Sequence, residues 1–125
     1  MKLAALLLIP AIALGGCSTM GTLTGASVKP QAALVAANSF DALETVATGY
    51  LQLPPCTTTQ LAACRNATAA KAIGPAVRSG RTARNQIEAL LQANAGAAVP
   101  VASINTLQAA IATLQAIYAQ YNIQS

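Results

Sequence analysis

The stretch "INTLQAAIATLQAIYAQY", from Ile104 to Tyr121, is the most regular segment of the sequence and decides its fold class. Apolar side chains recur there at alternating intervals of three and four residues, which places them on one face of an α-helix. They are Ile104, Leu107, Ile111, Leu114, Tyr118 and Tyr121. Most positions between them are Gln, Ala, Thr or Asn, and none is charged. The segment predicts a helix that buries one face in a small bundle.

The same apolar face has two alternative uses. It would fit a coiled-coil homodimer, or a helix of a partner in a larger complex. A coiled-coil dimer usually needs more heptads and charged flanking positions than this segment offers. We therefore keep the homodimer as an alternative but do not favour it.

The composition of the rest of the chain also favours an all-α fold. Alanine, the strongest helix former, is abundant, and β-branched residues are too sparse for a sheet protein. The aromatic residues are Phe40, Tyr50, Tyr118 and Tyr121, and there is no Trp. Because each buried alanine contributes little apolar area, we expect a thin core. The expected architecture is a small antiparallel three-helix bundle.

The first helix is expected to begin near Lys29-Pro30, with Ser27 as its cap, and to run to about Leu53. Pro54-Pro55 would stop it. Its apolar face is predicted from side chains three and four residues apart. These are Leu43, Val46, Tyr50 and Leu53, with Phe40 beside them.

The second helix is expected from Pro75 to about Gln92, because Gly74-Pro75 predicts either a kink or a new helix start. Asn94 to Gly96 would end it. Gly80 and Ala83 would let this helix approach a neighbour closely. The predicted inner face consists of Ala76, Val77, Gly80, Ala83, Ile87, Leu90 and Leu91.

The N-terminus has the pattern of a secretory signal. Lys2 is followed by "LAALLLIPAIAL", an apolar run too short to span a bilayer, which takes about 20 residues. "Leu14-Gly15-Gly16-Cys17" then resembles the lipobox of bacterial lipoproteins, in which a Leu and two small residues precede the cysteine that becomes the first mature residue. The resemblance covers only residues 1–17, and no family is recognised for the mature domain.

The resemblance implies a covalent lipid on Cys17, namely a diacylglyceryl thioether and an N-acyl group, and no other cofactor. Two or three acyl chains hold a protein stably on a membrane. Ser18 stands where this family carries Asp as its inner-membrane retention signal. The expected location is the outer membrane, on its periplasmic side, if the organism is Gram-negative.

The resemblance also sets the expected domain boundaries. Residues 1–16 would be the signal peptide and residues 17–27 the lipidated cysteine with a tether. Residues 28–125 would form a single helical domain. The tether sequence "STMGTLTGAS" is small and polar, and a flexible chain of about ten residues has a root-mean-square span of about 17–19 Å.

Cysteine usage agrees with export. If Cys17 carries lipid, Cys56 and Cys64 remain as an even set in an oxidising compartment, where disulfides persist. A bridge between them would close a short loop and stabilise the fold by roughly 2–3 kcal/mol. It would require Cα atoms about 4.4–6.8 Å apart. The pair is not expected to bind metal, since the chain has no His and the loop has no acidic neighbour.

Three arginines form the remaining candidate site. Arg78, Arg81 and Arg84 follow one another at intervals of three, which gives a drifting stripe on a helix. As an anion-binding face they would suit anionic lipid, peptidoglycan carboxylates or an acidic envelope protein. The alternative, which we favour, is a solvated face on which Arg84 pairs with Glu88 and on which Arg81 or Arg84 reaches Asp41 or Glu44 on another helix.

Catalysis and nucleic-acid binding are not expected. The chain has no His and three acidic residues, and no motif suggests a tuned acid or base. Export would remove the protein from nucleic acid. The favoured function is a non-enzymatic, lipid-anchored envelope module that binds or spaces something in the periplasm. The alternatives are a lysis, exclusion or immunity lipoprotein of a phage or other mobile element, and a helical subunit of a larger envelope complex.

Overall fold

The computed structural model describes residues 27–58 and 63–124. The predicted signal peptide, the lipidation site at Cys17 and all of the predicted tether except Ser27 lie outside the described residues.

The described residues form three α-helices and two very short strands. In chain order these are β1 (Ser27–Val28), α1 (Pro30–Leu51), α2 (Ala67–Ala93), β2 (Val99–Pro100) and α3 (Val101–Tyr121). The strands pair antiparallel, with Ser27 opposite Pro100 and Val28 opposite Val99. Because β1 leads into α1 and β2 into α3, these two helices start at the same end, where α2 finishes. The predicted all-α, antiparallel three-helix fold is confirmed.

Helix α1 starts as predicted at Pro30, whose fixed φ suits a first helical position. The predicted cap is wrong: Ser27 lies in β1, and Lys29 occupies the cap position without a side-chain hydrogen bond. The helix ends at Leu51, two residues earlier than expected. Proline disfavours helical backbone in the residue before it, so Pro54 disfavours helix at Leu53.

Helix α2 continues through Gly74-Pro75. A new helix start at Pro75 is wrong, because α2 begins at Ala67 and contains Pro75 in its interior. The proline ring is exposed, and buried Ile73, Ala76 and Val77 flank it on the core side. Packing on both sides of the proline thus offsets the missing backbone hydrogen bond. The predicted stop is confirmed: Asn94 follows the last helical residue.

Helix α3 buries the predicted face at its main positions. Ile104, Leu107, Leu114 and Tyr118 are buried, whereas Ile111 and Tyr121 are only partly covered. The helix ends at Asn122, whose left-handed φ of 52° directs the following N–H of Ile123 back to the Tyr118 carbonyl at 2.9 Å. Asn tolerates this conformation better than most residues.

The core is rich in alanine, as the composition predicts. Eight of its nineteen buried hydrophobic residues are Ala. On α1 the buried positions are largely Ala33, Ala36, Ala37 and Ala47, with Phe40 as the large side chain, while the predicted Leu43, Val46 and Tyr50 are half-buried. Small side chains let helix backbones approach closely, so four alanines and Phe40 form the inner face of α1.

The bundle has two ends that differ in construction. The strand end consists of β1, β2, the first turns of α1 and the connection from α2 to α3. The disulfide end consists of the last turns of α1 and α3 and the connection from α1 to α2. The 22 residues of α1 separate these ends by about 33 Å, at 1.5 Å per residue. None of the described helices combines the length and apolar character needed to cross a membrane.

Tyr118 ties α3 to α1 through its hydroxyl group. The hydroxyl donates a hydrogen bond of 2.6 Å to the Leu43 carbonyl, and the side chain is buried. Burial raises the pKa of Tyr118 to about 12, and a backbone hydrogen bond at Ala47 lowers it by less. The folded state therefore prefers the neutral phenol more strongly than the unfolded chain does.

We expect the protein to lose stability in alkaline solution because of Tyr118. The raised folded-state pKa means that its contribution is complete below the ordinary pKa of 10.0 and is lost as the pH rises from there towards about 12. Urea unfolding midpoints measured across this range should fall. Tyr118→Phe should lose about 1 kcal/mol at neutral pH, because the hydrogen bond to Leu43 is gone. It should also show a flatter alkaline profile. An equally steep profile in the variant would contradict the assignment.

Candidate functional site

The predicted bridge between Cys56 and Cys64 is present at the disulfide end. Their Cα atoms lie 4.8 Å apart, within the range that the bridge requires. The backbone is paired beside it: the Cys56 N–H donates to the Arg65 carbonyl at 3.1 Å, and the Arg65 N–H donates to the Pro54 carbonyl at 2.8 Å. A disulfide and two backbone hydrogen bonds thus close the base of this loop.

Two side chains fix the loop base to the helix before it. Arg65 donates through Nη1 to the Leu51 carbonyl at 2.6 Å, which places a cation at the negative end of α1. The Tyr50 hydroxyl accepts a hydrogen bond of 2.7 Å from the Asn66 N–H. The base of the loop is therefore tied to the last turn of α1 by side chains as well as by the covalent chain.

Asn66 starts the helix that follows the loop. Its side-chain oxygen accepts hydrogen bonds from the N–H groups of Thr68 at 2.8 Å and Ala69 at 3.1 Å, so it caps α2. This capping role was not predicted from the sequence, and neither were the contacts of Arg65 and Tyr50. The signal for Asn66 was present, since a capping residue stands directly before the helix-forming "ATAAKAI". No local pattern announces the contacts of Arg65 and Tyr50, which span 14 and 16 residues.

An open cleft of about 670 Å³ lies against the disulfide at this end. Among the described residues, its lining contains no charged side chain and combines apolar groups with tyrosines and amides. The principal lining residues are Val46, Tyr50, Leu53, Cys56, Cys64, Tyr121 and Ile123. Such a surface suits a neutral apolar or aromatic group, with hydroxyl and amide groups at the margin to orient it.

Two arginines of the stripe, Arg81 and Arg84, form ion pairs with carboxylates of this chain. The Arg81 guanidinium donates through Nε to Glu44 Oε1 at 2.8 Å, and its Nη2 contacts the same oxygen. The Arg84 guanidinium reaches Glu88 Oε2 at 3.2 Å and Glu44 Oε2 at 3.5 Å, and its Nε lies 3.2 Å from Asp41 Oδ1. The expected pairing of these arginines within α2 and with α1 is confirmed.

The carboxylates of this cluster raise the pKa of Arg84. Burial lowers the pKa of its guanidinium, but the charges of Asp41, Glu88 and Glu44 raise it by more, so the net pKa lies above its ordinary value. Glu44, with a side chain only 14% exposed, bridges Arg81 and Arg84. The ion pairs of Arg81 and Arg84 with Asp41 and Glu44 join α1 to α2, and we call this group the charge clamp.

We expect Glu44→Gln to lower the free energy of unfolding by about 0.5–1 kcal/mol at low salt. The loss should shrink at high salt, because screening weakens the ion pairs of the native protein. Urea unfolding at two salt concentrations measures both effects. Arg78→Gln is the matched control: Arg78 is exposed and forms no ion pair within residues 27–58 and 63–124, so its change should stay within about 0.5 kcal/mol. An equal loss in both variants would argue against a specific clamp.

Anion binding by Arg78, Arg81 and Arg84 stays a prediction. An external anion would have to compete with Glu44 and Asp41 for two of the three guanidinium groups, whereas Arg78 is exposed on the same helix.

The described residues contain no group of three or more His, Cys, Asp or Glu side chains that could hold a metal ion. Comparisons with models of protein families, with curated proteins and with solved structures give no match for this chain.

Proposed function

We propose that this chain is a non-enzymatic, lipid-anchored envelope lipoprotein, held by lipid on Cys17 and presenting a helical binding or structural module to the periplasm. The observation that carries the proposal is "Leu14-Gly15-Gly16-Cys17", the lipobox-like end of the apolar N-terminal run. The resemblance gives Cys17 a chemical role that no other feature of the chain explains.

The cysteine pairing supports export. Of three cysteines in the sequence, Cys56 and Cys64 form a disulfide, which leaves Cys17 as the odd thiol. Disulfides persist in oxidising compartments such as the periplasm, and a single remaining cysteine at a lipobox position is the one that export would modify.

The two ends of the bundle support an anchored module. The chain from Cys17 enters at Ser27, at the strand end, whereas the loop base and the cleft lie about 33 Å away along α1. An anchor at one end leaves the neutral cleft of the disulfide end directed away from the membrane. That end is the proposed binding surface.

The use of the carboxylates supports a role without catalysis. The sequence contains three acidic side chains, Asp41, Glu44 and Glu88, and all three form ion pairs with Arg81 or Arg84. A general acid or base needs a carboxyl group set for proton transfer to a substrate. Asp41 and Glu44 join α1 to α2 instead, and Glu88 pairs with Arg84 within α2.

The intact mass of protein purified from membranes tests the proposal. We expect the mass of residues 17–125 plus diacylglyceryl and acyl groups, with no thiol open to alkylation until a reductant is added. A mass equal to the unmodified chain would overturn the lipid anchor. Cys17→Ser is the control, and it should remain unprocessed and without lipid.

A further inference from the structure

Two large apolar side chains are exposed at the strand end. Among the described residues, Leu34 and Val35 are the exposed large hydrophobics, 45% and 66% exposed, and both lie in the second turn of α1. Leu34 also borders a groove of about 380 Å³ that includes Ala95, in the connection after α2. We define the strand-end patch as Lys29, Leu34, Val35, Ala95, Ala98 and Pro100, which are among the exposed residues of this end. Ser27, Gln31 and Asn94 are exposed there as well.

Two charged side chains, Glu88 and Lys29, lie in or near this patch, and Glu88 is neutralised by an ion pair. Glu88 borders the groove, but its carboxylate pairs with Arg84 at 3.2 Å. Lys29 is exposed directly before α1 and forms no ion pair within the described ranges 27–58 and 63–124. The patch therefore presents apolar side chains beside one cation.

We propose that the strand-end patch lies against the lipid surface that anchors the protein, with Leu34 and Val35 entering the headgroup region. This inference rests on the proposed lipid anchor at Cys17. It adds a second membrane contact, made by the folded domain, and it fixes the orientation of the bundle on the membrane.

The position of the patch relative to the anchor favours lipid as its occupant. The first described range begins at Ser27, which belongs to the strand end. The predicted tether of about ten residues would have a root-mean-square span of roughly 17–19 Å, so a lipid on Cys17 would keep this end beside the bilayer. The distant disulfide end has no such constraint.

The chemistry of the patch matches the boundary between headgroups and acyl chains. Leu34 and Val35 stand about 6–8 Å along the helix axis from Pro30, and interfacial segments bury their apolar faces about 5–10 Å deep. The ammonium of Lys29 is suited to anionic headgroups.

Tryptophan placed at Val35 tests the contact, because the chain has no Trp of its own. Val35→Trp is purified with its lipid and reconstituted in vesicles of phosphatidylethanolamine with less phosphatidylglycerol, carrying brominated acyl chains as quenchers. Gln120→Trp is the matched control, since Gln120 is exposed in the last turn of α3 at the disulfide end. The intact mass of each preparation records the lipid on Cys17.

We expect bromine quenching and blue-shifted emission for Trp at position 35, and neither for Trp at position 120. If both tryptophans stay unquenched while the mass shows the lipid, the membrane contact is overturned and the lipid anchor stands. If the mass shows no lipid, the anchor fails and the orientation argued from it fails too. Residues 17–125 with Cys17→Ser and Val35→Trp, produced without residues 1–16 and therefore without lipid, supply the remaining comparison without vesicles. Blue emission there would overturn lipid as the occupant. If it is lost on dilution, a second copy covers the patch; if it is independent of dilution, the chain's own N-terminal segment does.

Discussion

Replacing Gly80 with alanine is expected to lower the free energy of unfolding by about 2–3 kcal/mol. A Cβ atom at Gly80 would lie 2.0 Å from Cε2 of Phe40, and 2.6 and 2.7 Å from two further ring atoms. Phe40 is completely buried, so its ring has no space into which to move. The glycine is therefore the position at which α2 approaches α1, and the clash outweighs the usual gain of alanine in a helix.

Gly49→Ala is the matched control for this prediction. Gly49 lies in α1, and a Cβ atom there would have no neighbour within 4 Å. The substitution should stabilise the protein by about 0.5–1 kcal/mol, because alanine loses less backbone entropy on folding than glycine. Urea unfolding of both variants should thus move the midpoints in opposite directions. If Gly80→Ala were stabilising as well, the close helix contact would be refuted.

A second substitution can show that the Phe40 ring causes the loss. The ring atoms nearest to the added Cβ are absent from leucine, so Gly80→Ala should cost less in a Phe40→Leu background than in the native protein. The difference between the two costs measures the coupling of the two residues. A cost that is the same in both backgrounds would locate the strain elsewhere in α2.

Loss of the disulfide carries the other large expected effect. Cys56→Ser with Cys64→Ser should lower the free energy of unfolding by roughly 2–3 kcal/mol, because the unfolded chain is no longer constrained by a closed loop of this length. Thermal or urea unfolding measures the loss. The hydrogen bonds of Arg65 and Asn66 at the base of the loop remain available, so the helical circular dichroism of the variant should be nearly unchanged before unfolding.

Reduction provides an independent route to the same comparison. Adding a reductant to the Cys17→Ser protein removes the bridge without changing Cys56 or Cys64, and it should cost as much as the double substitution. Cys17→Ser without a reductant should leave the unfolding midpoint unchanged, since Cys17 lies outside the described domain. A midpoint insensitive to reductant would mean that the bridge contributes no stability.

The arginine stripe shows which ion pairs can be predicted from nearby residues and which cannot. The spacing of Arg78, Arg81 and Arg84 put them on one helix, and Glu88 four residues after Arg84 indicated a local pair. Which arginine meets Glu44, 37 and 40 residues earlier in the chain, depends on how α1 and α2 are rotated against each other. Only that rotation distinguishes the clamped Arg81 and Arg84 from the exposed Arg78.

The sequence by itself determined the class of fold, the periodic face of α3, the start of α1, the end of α2 and the disulfide partners. Each depends on neighbours within a few residues: apolar spacing, proline, the Asn94-Ala95-Gly96 stop and a short cysteine interval. The tertiary structure alone decided the continuity of α2 through Pro75, the pairing of β1 with β2, the burial of alanines rather than Leu43, Val46 and Tyr50 on α1, and the cleft beside the disulfide. These features depend on contacts between distant segments, where packing overrides local preference.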